Sequence, residues 1–236
     1  DTAVYAVAFY IGTVIAVPQR SIEKITTPLI AEYIRRRKWA EVEEIYRKTS
    51  LTQVIAGTFI LLLIWVNSGH LLNLLPAVYS DGQYVILFIG LGKLFDMATG
   101  ANGSIIINSR HYRFDLASNL LLIFFTVSTN LLLIPSYGIH GAAVATMLSL
   151  FLYNLIKLVF VWTAFSMQPF SKEFIWLIVL ALVSLGVISL LPGLGIIPHL
   201  AATLLILSAT FLFPVWLLGL SADLNRLVSR LLSGNS

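Results

Sequence analysis

The sequence predicts an all-α, polytopic membrane protein of about seven transmembrane helices, and three observations lead there. Hydrophobic residues make up 58% of the chain and charged residues only 11%, against about a quarter charged in soluble domains. The mean hydropathy is +0.90, so the chain has too little polar surface to cover itself in water, a problem that lipid as solvent removes. Eleven of the fifteen Lys and Arg residues fall in four short stretches: Arg35 to Lys38 with Arg47 and Lys48, Arg110 with Arg113, Lys172, and Arg226 with Arg230. Long apolar segments and three loops without Lys or Arg separate them, which is the positive-inside pattern of a multi-span protein.

A spanning helix needs about 20 largely apolar residues. Seven segments qualify, at about 3–31, 51–67, 84–107, 114–134, 139–165, 173–191 and 198–219. Loops 32–50, 108–113 and 166–172 and the tail from Ser221 carry the basic residues and are expected inside. Loops 68–83, 135–138 and 192–197 carry none and are expected outside. The N-terminus is then outside and the C-terminus cytoplasmic. Residues 34–48 (IRRRKWAEVEEIYRK) read as an amphipathic helix along the inner surface, with Trp39, Val42, Ile45 and Tyr46 at helical spacing. It is either a lever or an interfacial linker.

Prolines 76, 135, 169, 192 and 198 sit in or beside loops, where a missing donor matters least. Pro18, Pro28 and Pro214 lie within apolar segments, where a kink lines a cavity or protein interior. Small residues gather at Gly100 to Ser104 and Gly138 to Thr146, a pattern of close helix packing. The chain begins Asp1-Thr2-Ala3 without a basic n-region or cleavage pattern. It is expected to be the C-terminal piece of a longer protein.

The four remaining cations, Arg20, Lys24, Lys93 and Lys157, fall within the apolar segments, where a charge costs several kcal/mol unless paired or hydrated. Glu23 can reach Arg20, while Arg20 and Lys24 share a face, so the group keeps net positive charge. It is either the cationic wall of an aqueous, phosphate-binding cavity or a set of side chains snorkelling to the inner surface. Lys93 and Asp96 stand three apart and can pair. They form either a structural ion pair or, through Asp96, a cation- or proton-coupling site. Lys157 is expected to snorkel, and Asn102, Asn119 and Asn130 to make interhelical hydrogen bonds, with Asn102 and Asn130 as candidate polar groups of the cavity.

No cysteine is present, which excludes disulfides, thiolate metal sites and cysteine nucleophiles. The four histidines do not pair at metal-ligand spacing. No P-loop, Gly-rich dinucleotide turn, GxSxG or paired catalytic carboxylates occur, so no enzyme, cofactor or metal is expected. The sequence pI of about 9.4 reflects topology and contact with anionic lipid rather than nucleic-acid binding.

Residues 100–146 read GANGSIIINSRHYRFDLASNLLLIFFTVSTNLLLIPSYGIHGAAVAT. The Gly-rich helix, the short inner loop, Asn130, Leu133-Ile134-Pro135, Tyr137-Gly138-Ile139 and Gly141 to Thr146 resemble the C-terminal half of polysaccharide flippases. These belong to the multidrug/oligosaccharidyl-lipid/polysaccharide exporter superfamily. Residues 16–31 (AVPQRSIEKITTPLIA) resemble the proline-containing helix that opens the second lobe's packed core. The resemblance covers most of residues 1–165, and two extra C-terminal spans over 166–236 suit fourteen-helix members.

The resemblance implies the second lobe of a MATE-like two-lobe transporter plus two terminal helices, with an absent N-terminal lobe as partner. It implies alternating access in a bacterial cytoplasmic membrane. The substrate implied is an undecaprenyl-diphosphate-linked oligosaccharide, with Arg20 and Lys24 at the diphosphate and proton or sodium coupling. Alternatives are a lipid II flippase, which shares the diphosphate, and a drug/cation antiporter, which needs an acidic cavity. A membrane glycosyltransferase would need acids in a large outer loop, and loop 68–83 holds only Asp81. A purely structural membrane protein would not need four intramembrane cations.

Overall fold

The computed structural model describes residues 2–192, 195–221 and 225, and among these it is entirely helical, with no strand. The elements follow from the apolar runs and from what interrupts them. Helix α1 covers Thr2–Arg35. It contains a 3-10 turn at Val14–Ala16, after which Pro18 occupies the first turn of the renewed helix, where a missing N–H is no loss. Helix α2 is Trp39–Leu72, α3 Gln83–Ala98 and α4 Asn102–Ile107. Helix α5 is Tyr112–Phe165, α6 Glu173–Ile188 and α7 Ile196–Leu217. A π turn at Ser208–Leu212 precedes Pro214 in α7.

Four of these helices, α1, α2, α5 and α7, are long and apolar enough to cross a membrane, fewer than the seven expected. The difference has three local causes. The segment expected at 84–107 is broken at Thr99 to Ala101 into α3 and α4, with Gly100 at φ 57°. The segment at 173–191 yields a helix of 16 residues. The two segments 114–134 and 139–165 run on as one 54-residue helical element.

That long element is a hairpin. The expected loop at 135–138 does not exist as a loop; the whole reversal is made at Gly138, with φ 54° and ψ −130°, a conformation in which only glycine is unstrained. The limbs then pack antiparallel. Thr129 Oγ1 and Ser149 Oγ lie 3.0 Å apart, and Tyr153 donates to Asn119 Oδ1 at 3.0 Å. Near the open end, Phe114 stacks on Phe160 at 3.7 Å between ring centres. At the bend the limbs are so close that a Cβ on Gly141 would overlap the Leu133 carbonyl.

The expected surface helix over 34–48 is also corrected. The chain breaks at Arg36 to Lys38, and Trp39 onward is the first part of the long helix α2. Its apolar face does not lie against lipid. Val42 and Tyr46 are fully buried in a protein cluster with Ile30, Ala101, Ile105, Ile106, Val161 and Met167. Four i,i+3 or i,i+4 ion pairs line the polar side of this region: Arg36–Glu32, Lys38–Glu41, Arg47–Glu43 and Lys48–Glu44.

A second cluster (Ala8, Leu72, Val85, Ile86, Ile89 and Ala143) closes the opposite end of the bundle. Val54, Ile55, Leu177, Phe211 and Val215 dock α6 and α7 on α2. The loops sort accordingly. Residues 34–39, 109–110 and 164–166 meet around one cavity at one end. At the other end His70 lies against His199, and Tyr84 against His140. Arg226 and Arg230 of the expected inner tail lie outside the described residues.

The outer face of the first α5 limb is an apolar stripe. Leu116, Leu120, Ile123, Phe124, Val127 and Leu131 are each more than half exposed. In water a patch of this kind invites association; in lipid it is the solvated face. Together with the four membrane-length helices it marks a membrane protein.

Gly138→Ala is expected to destabilise the hairpin by about 1–3 kcal/mol, the cost of an L-residue in that backbone region. Gly141→Ala is expected to cost more, because the Leu133 carbonyl is backbone and cannot rotate away. Thermal melting of the detergent-solubilised protein checks both, and two unchanged midpoints would mean that the limbs do not meet at this bend.

Candidate functional site

The helix break after α3 opens a polar cavity of about 400 Å³ inside the apolar bundle. Gln19 and Glu23 of α1, Asp96 of α3, Asn102 of α4 and Asp115, Asn154 and Lys157 of α5 line it. Two networks divide its wall.

The first network locks the α5 hairpin. Lys157, 5% exposed, pairs with Asp115 at 2.8 Å and donates to the Tyr153 hydroxyl. That hydroxyl donates to Asn119 Oδ1 at 3.0 Å, and Asn119 Nδ2 donates to Asp115 Oδ2 at 3.1 Å. The ring of four side chains is closed, and every bond joins either one turn of a helix or the two facing limbs. Lys157 therefore does not snorkel; its ammonium is held inward by a carboxylate. Asn119 makes the expected interhelical bond.

The second network is acidic. Gln19, 8% exposed, donates from Nε2 to Glu23 Oε1 at 3.0 Å and to Asp96 Oδ2 at 3.3 Å. One amide thus bridges two carboxylates from different helices. Of the two alternatives for Lys93 and Asp96, the ion pair is not formed among the described residues; the group at Asp96 is Gln19. Thr99 donates to the Asp96 carbonyl at 2.8 Å, capping the broken helix, and lies 3.3 Å from Asn154 Oδ1. Asn102 is 5% exposed and its Nδ2 has no partner, so it does not make the expected interhelical bond.

Lys157 pairs with Asp115, which leaves Glu23 and Asp96 as the cavity acids that make no ion pair among the described residues. Such a site offers carboxylate oxygens to a proton or a hard monovalent cation. Among the described residues no three His, Cys, Asp or Glu side chains converge as metal ligands.

Arg20 and Lys24 are placed elsewhere. Both are exposed on α1, and neither lines this cavity. Of the group Arg20, Glu23 and Lys24, Glu23 lines the cavity and the two cations do not. Asn130 bonds only its own helix, at Thr126 O, 2.7 Å, and does not line the cavity either. Gln19, Asp115 and Tyr153 were not singled out from sequence. The i,i+4 pairs Asp115/Asn119 and Tyr153/Lys157 were the available signal, since the two pairs fold onto one another about Ser136.

Among curated proteins, the chain is similar to a "Capsular polysaccharide biosynthesis protein CapF" of Staphylococcus aureus. The two are 25% identical over 132 residues, covering 56% of this chain and 33% of that protein. The match thus spans about a third of that relative's length. No family model matches the chain, and no solved structure matches it.

Lys157→Met is expected to cost about 3–5 kcal/mol, because it strands a buried carboxylate. Adding Asp115→Asn should recover a large part of that loss, since neither charge then remains. A double-mutant cycle on melting midpoints measures the coupling; strictly additive effects would mean that the two side chains do not interact.

Proposed function

We propose that this chain is the second lobe, with two terminal helices, of a transporter that moves lipid-diphosphate-linked oligosaccharide from the inner to the outer leaflet by alternating access. The similarity to a capsular polysaccharide biosynthesis protein, on a helical bundle of membrane-length apolar helices, is the observation that carries the reading. The polysaccharide supplies the cargo class, and the bundle supplies the route.

On this reading the chain makes seven spans, with the α5 hairpin counted as two, the broken α3–α4 segment as one and α6 as a short one. The basic loops face the cytoplasm and the loops bearing His70, His140 and His199 face out. The exposed face of α1 closes a central cavity against an N-terminal lobe. There Arg20 and Lys24 meet the diphosphate, since guanidinium and ammonium suit phosphate oxygens. The lipid tail stays in the bilayer. The acids Glu23 and Asp96, behind that face, take up and release the coupling proton or sodium ion. Loading them changes the charge beside Arg20 and Lys24, which links ion and cargo through one helix.

A second reading, a cation-coupled drug antiporter, is favoured by one observation: the cavity within the bundle is acidic, with Glu23 and Asp96 in no ion pair among the described residues. The two readings part on phenotype. In a strain lacking the gene, the flippase reading expects surface polysaccharide to be lost and lipid-diphosphate-linked oligosaccharide to accumulate facing the cytoplasm. Normal polysaccharide with raised sensitivity to cationic drugs would replace it with the antiporter.

Complementation then separates the roles. Arg20→Ala is expected to lower surface polysaccharide at least about tenfold, the worth of one charge-assisted contact. Glu23→Gln and Asp96→Asn should lower transport while leaving protein abundance and melting close to the parent. Full transport by all three variants would remove these residues from the pathway.

A further inference from the structure

A second cavity of about 730 Å³, larger than the acidic one, lies at the end of the bundle where the basic loops meet. Arg37, Trp39, Ser109, Arg110, Phe165 and Ser166 line it. Three features single it out.

The backbone is strained on both sides of it. Helix α1 ends with Lys38 N–H donating to Tyr33 O at 2.9 Å and Arg37 N–H to Ile34 O at 3.0 Å. That is the paired closure whose left-handed residue is ordinarily glycine. Here it is Arg37, at φ 56°. Helix α5 ends on Ser166, at φ 58°. Among the described residues these are the only two non-glycine residues with positive φ, and both face this cavity. Strain kept at two points of one cavity is a pattern of ligand sites.

The charges are unspent. Around Arg37, the cations Arg36, Lys38, Arg47 and Lys48 each hold a carboxylate. Among the described residues Arg37 and Arg110 hold none and make no side-chain hydrogen bond. Among the described residues no carboxylate lines the cavity. The carbonyl ends of α1 and α5 bring roughly half a negative charge each, and the start of α2 at Trp39 returns roughly half a positive one. Two full guanidinium charges outweigh that balance, so the cavity is electropositive.

The wall beside the charges is apolar. Trp39 and Phe165 lie 5.6 Å apart between ring centres, on the membrane-surface side of a chain whose exposed faces are lipid-like. An electropositive pocket between helices at the basic end of a membrane protein, with an aromatic flank, fits a phosphate head group still attached to its acyl chains.

We propose that this cavity binds the phosphate head group of an anionic membrane lipid, with Arg37 and Arg110 on the phosphate and Trp39 with Phe165 against the glycerol and first methylenes. The inference goes beyond the transport reading and holds whatever the cargo. Its readout is lipid binding, so its failure and a failure of the flippase reading are separately visible.

The test uses the intact protein extracted from its membrane, with native mass spectrometry of bound phosphatidylglycerol against phosphatidylcholine. Arg37→Gly suits the purpose, because glycine fits φ 56° better than arginine does; the fold is kept while the guanidinium goes. The parent should retain phosphatidylglycerol and not phosphatidylcholine. Arg37→Gly should melt no lower than the parent yet bind phosphatidylglycerol about tenfold more weakly, as for loss of one charge-assisted bond. Arg110→Gln should do the same, and Arg36→Gln, whose cation is already paired, should bind as the parent does. Equal retention by Arg37→Gly and the parent would overturn the proposal. So would binding of inorganic phosphate as tight as that of the lipid, which would make the cavity a site for soluble anions instead.

Discussion

In hydrocarbon no water satisfies a peptide group, so every backbone N–H and C=O must find a partner within the bundle. The architecture depends on this constraint, and two of its interior interruptions show how it is met. At Gly138 a single glycine reverses the chain, and the residues on either side keep helical backbone angles. At Thr99 to Ala101 the ladder does break, and side chains take over. Ser50 Oγ donates to the freed Ala98 carbonyl and Thr99 Oγ1 to that of Asp96. A break repaired by hydroxyls leaves polar surface in the interior, and the cavity forms against it.

The cavity then has to carry its own charges, and it sorts them by helix. The Asp115–Lys157 pair is a closed structural unit, with its remaining valences filled by Asn119 and Tyr153. A buried pair so completely satisfied holds two limbs in register, although its net contribution to stability need not be large. The Gln19 bridge between Glu23 and Asp96 differs: a neutral amide touches two acids and neutralises neither. Structural charge and available charge thus share one cavity, and the second kind is the one to which transport chemistry can be attached.

The exposed surfaces divide in the same way. The stripe from Leu116 to Leu131 is large, apolar and without a polar interruption on its ridge, as a lipid face is. The face of α1 bearing Arg20 and Lys24 is exposed and cationic beside exposed Val17 and Ile25. A charged strip beside apolar neighbours on a membrane helix needs water, an anion or another protein surface opposite it. The two-lobe reading supplies such a surface.

The sequence by itself marked the apolar segments that become helices and the loops that gather at each end of the bundle, because apolar length and Lys/Arg placement act locally and need no tertiary partner. It also exposed Glu23, Asp96 and Lys157 as costly residues whose charges had to be accounted for. It could not assign their partners, since sequence neighbours compete with distant groups for the same atoms. Lys93 is three residues from Asp96, yet Gln19, 77 residues away, donates to it. Lys157 was read as reaching for the surface, yet folding about Gly138 brings Asp115 to it. Residues 34–48 have the periodicity of a surface helix, but only packing decided that Val42 and Tyr46 meet protein instead of lipid. Local pattern sets which face of a helix is apolar, and tertiary structure alone decides what that face is pressed against.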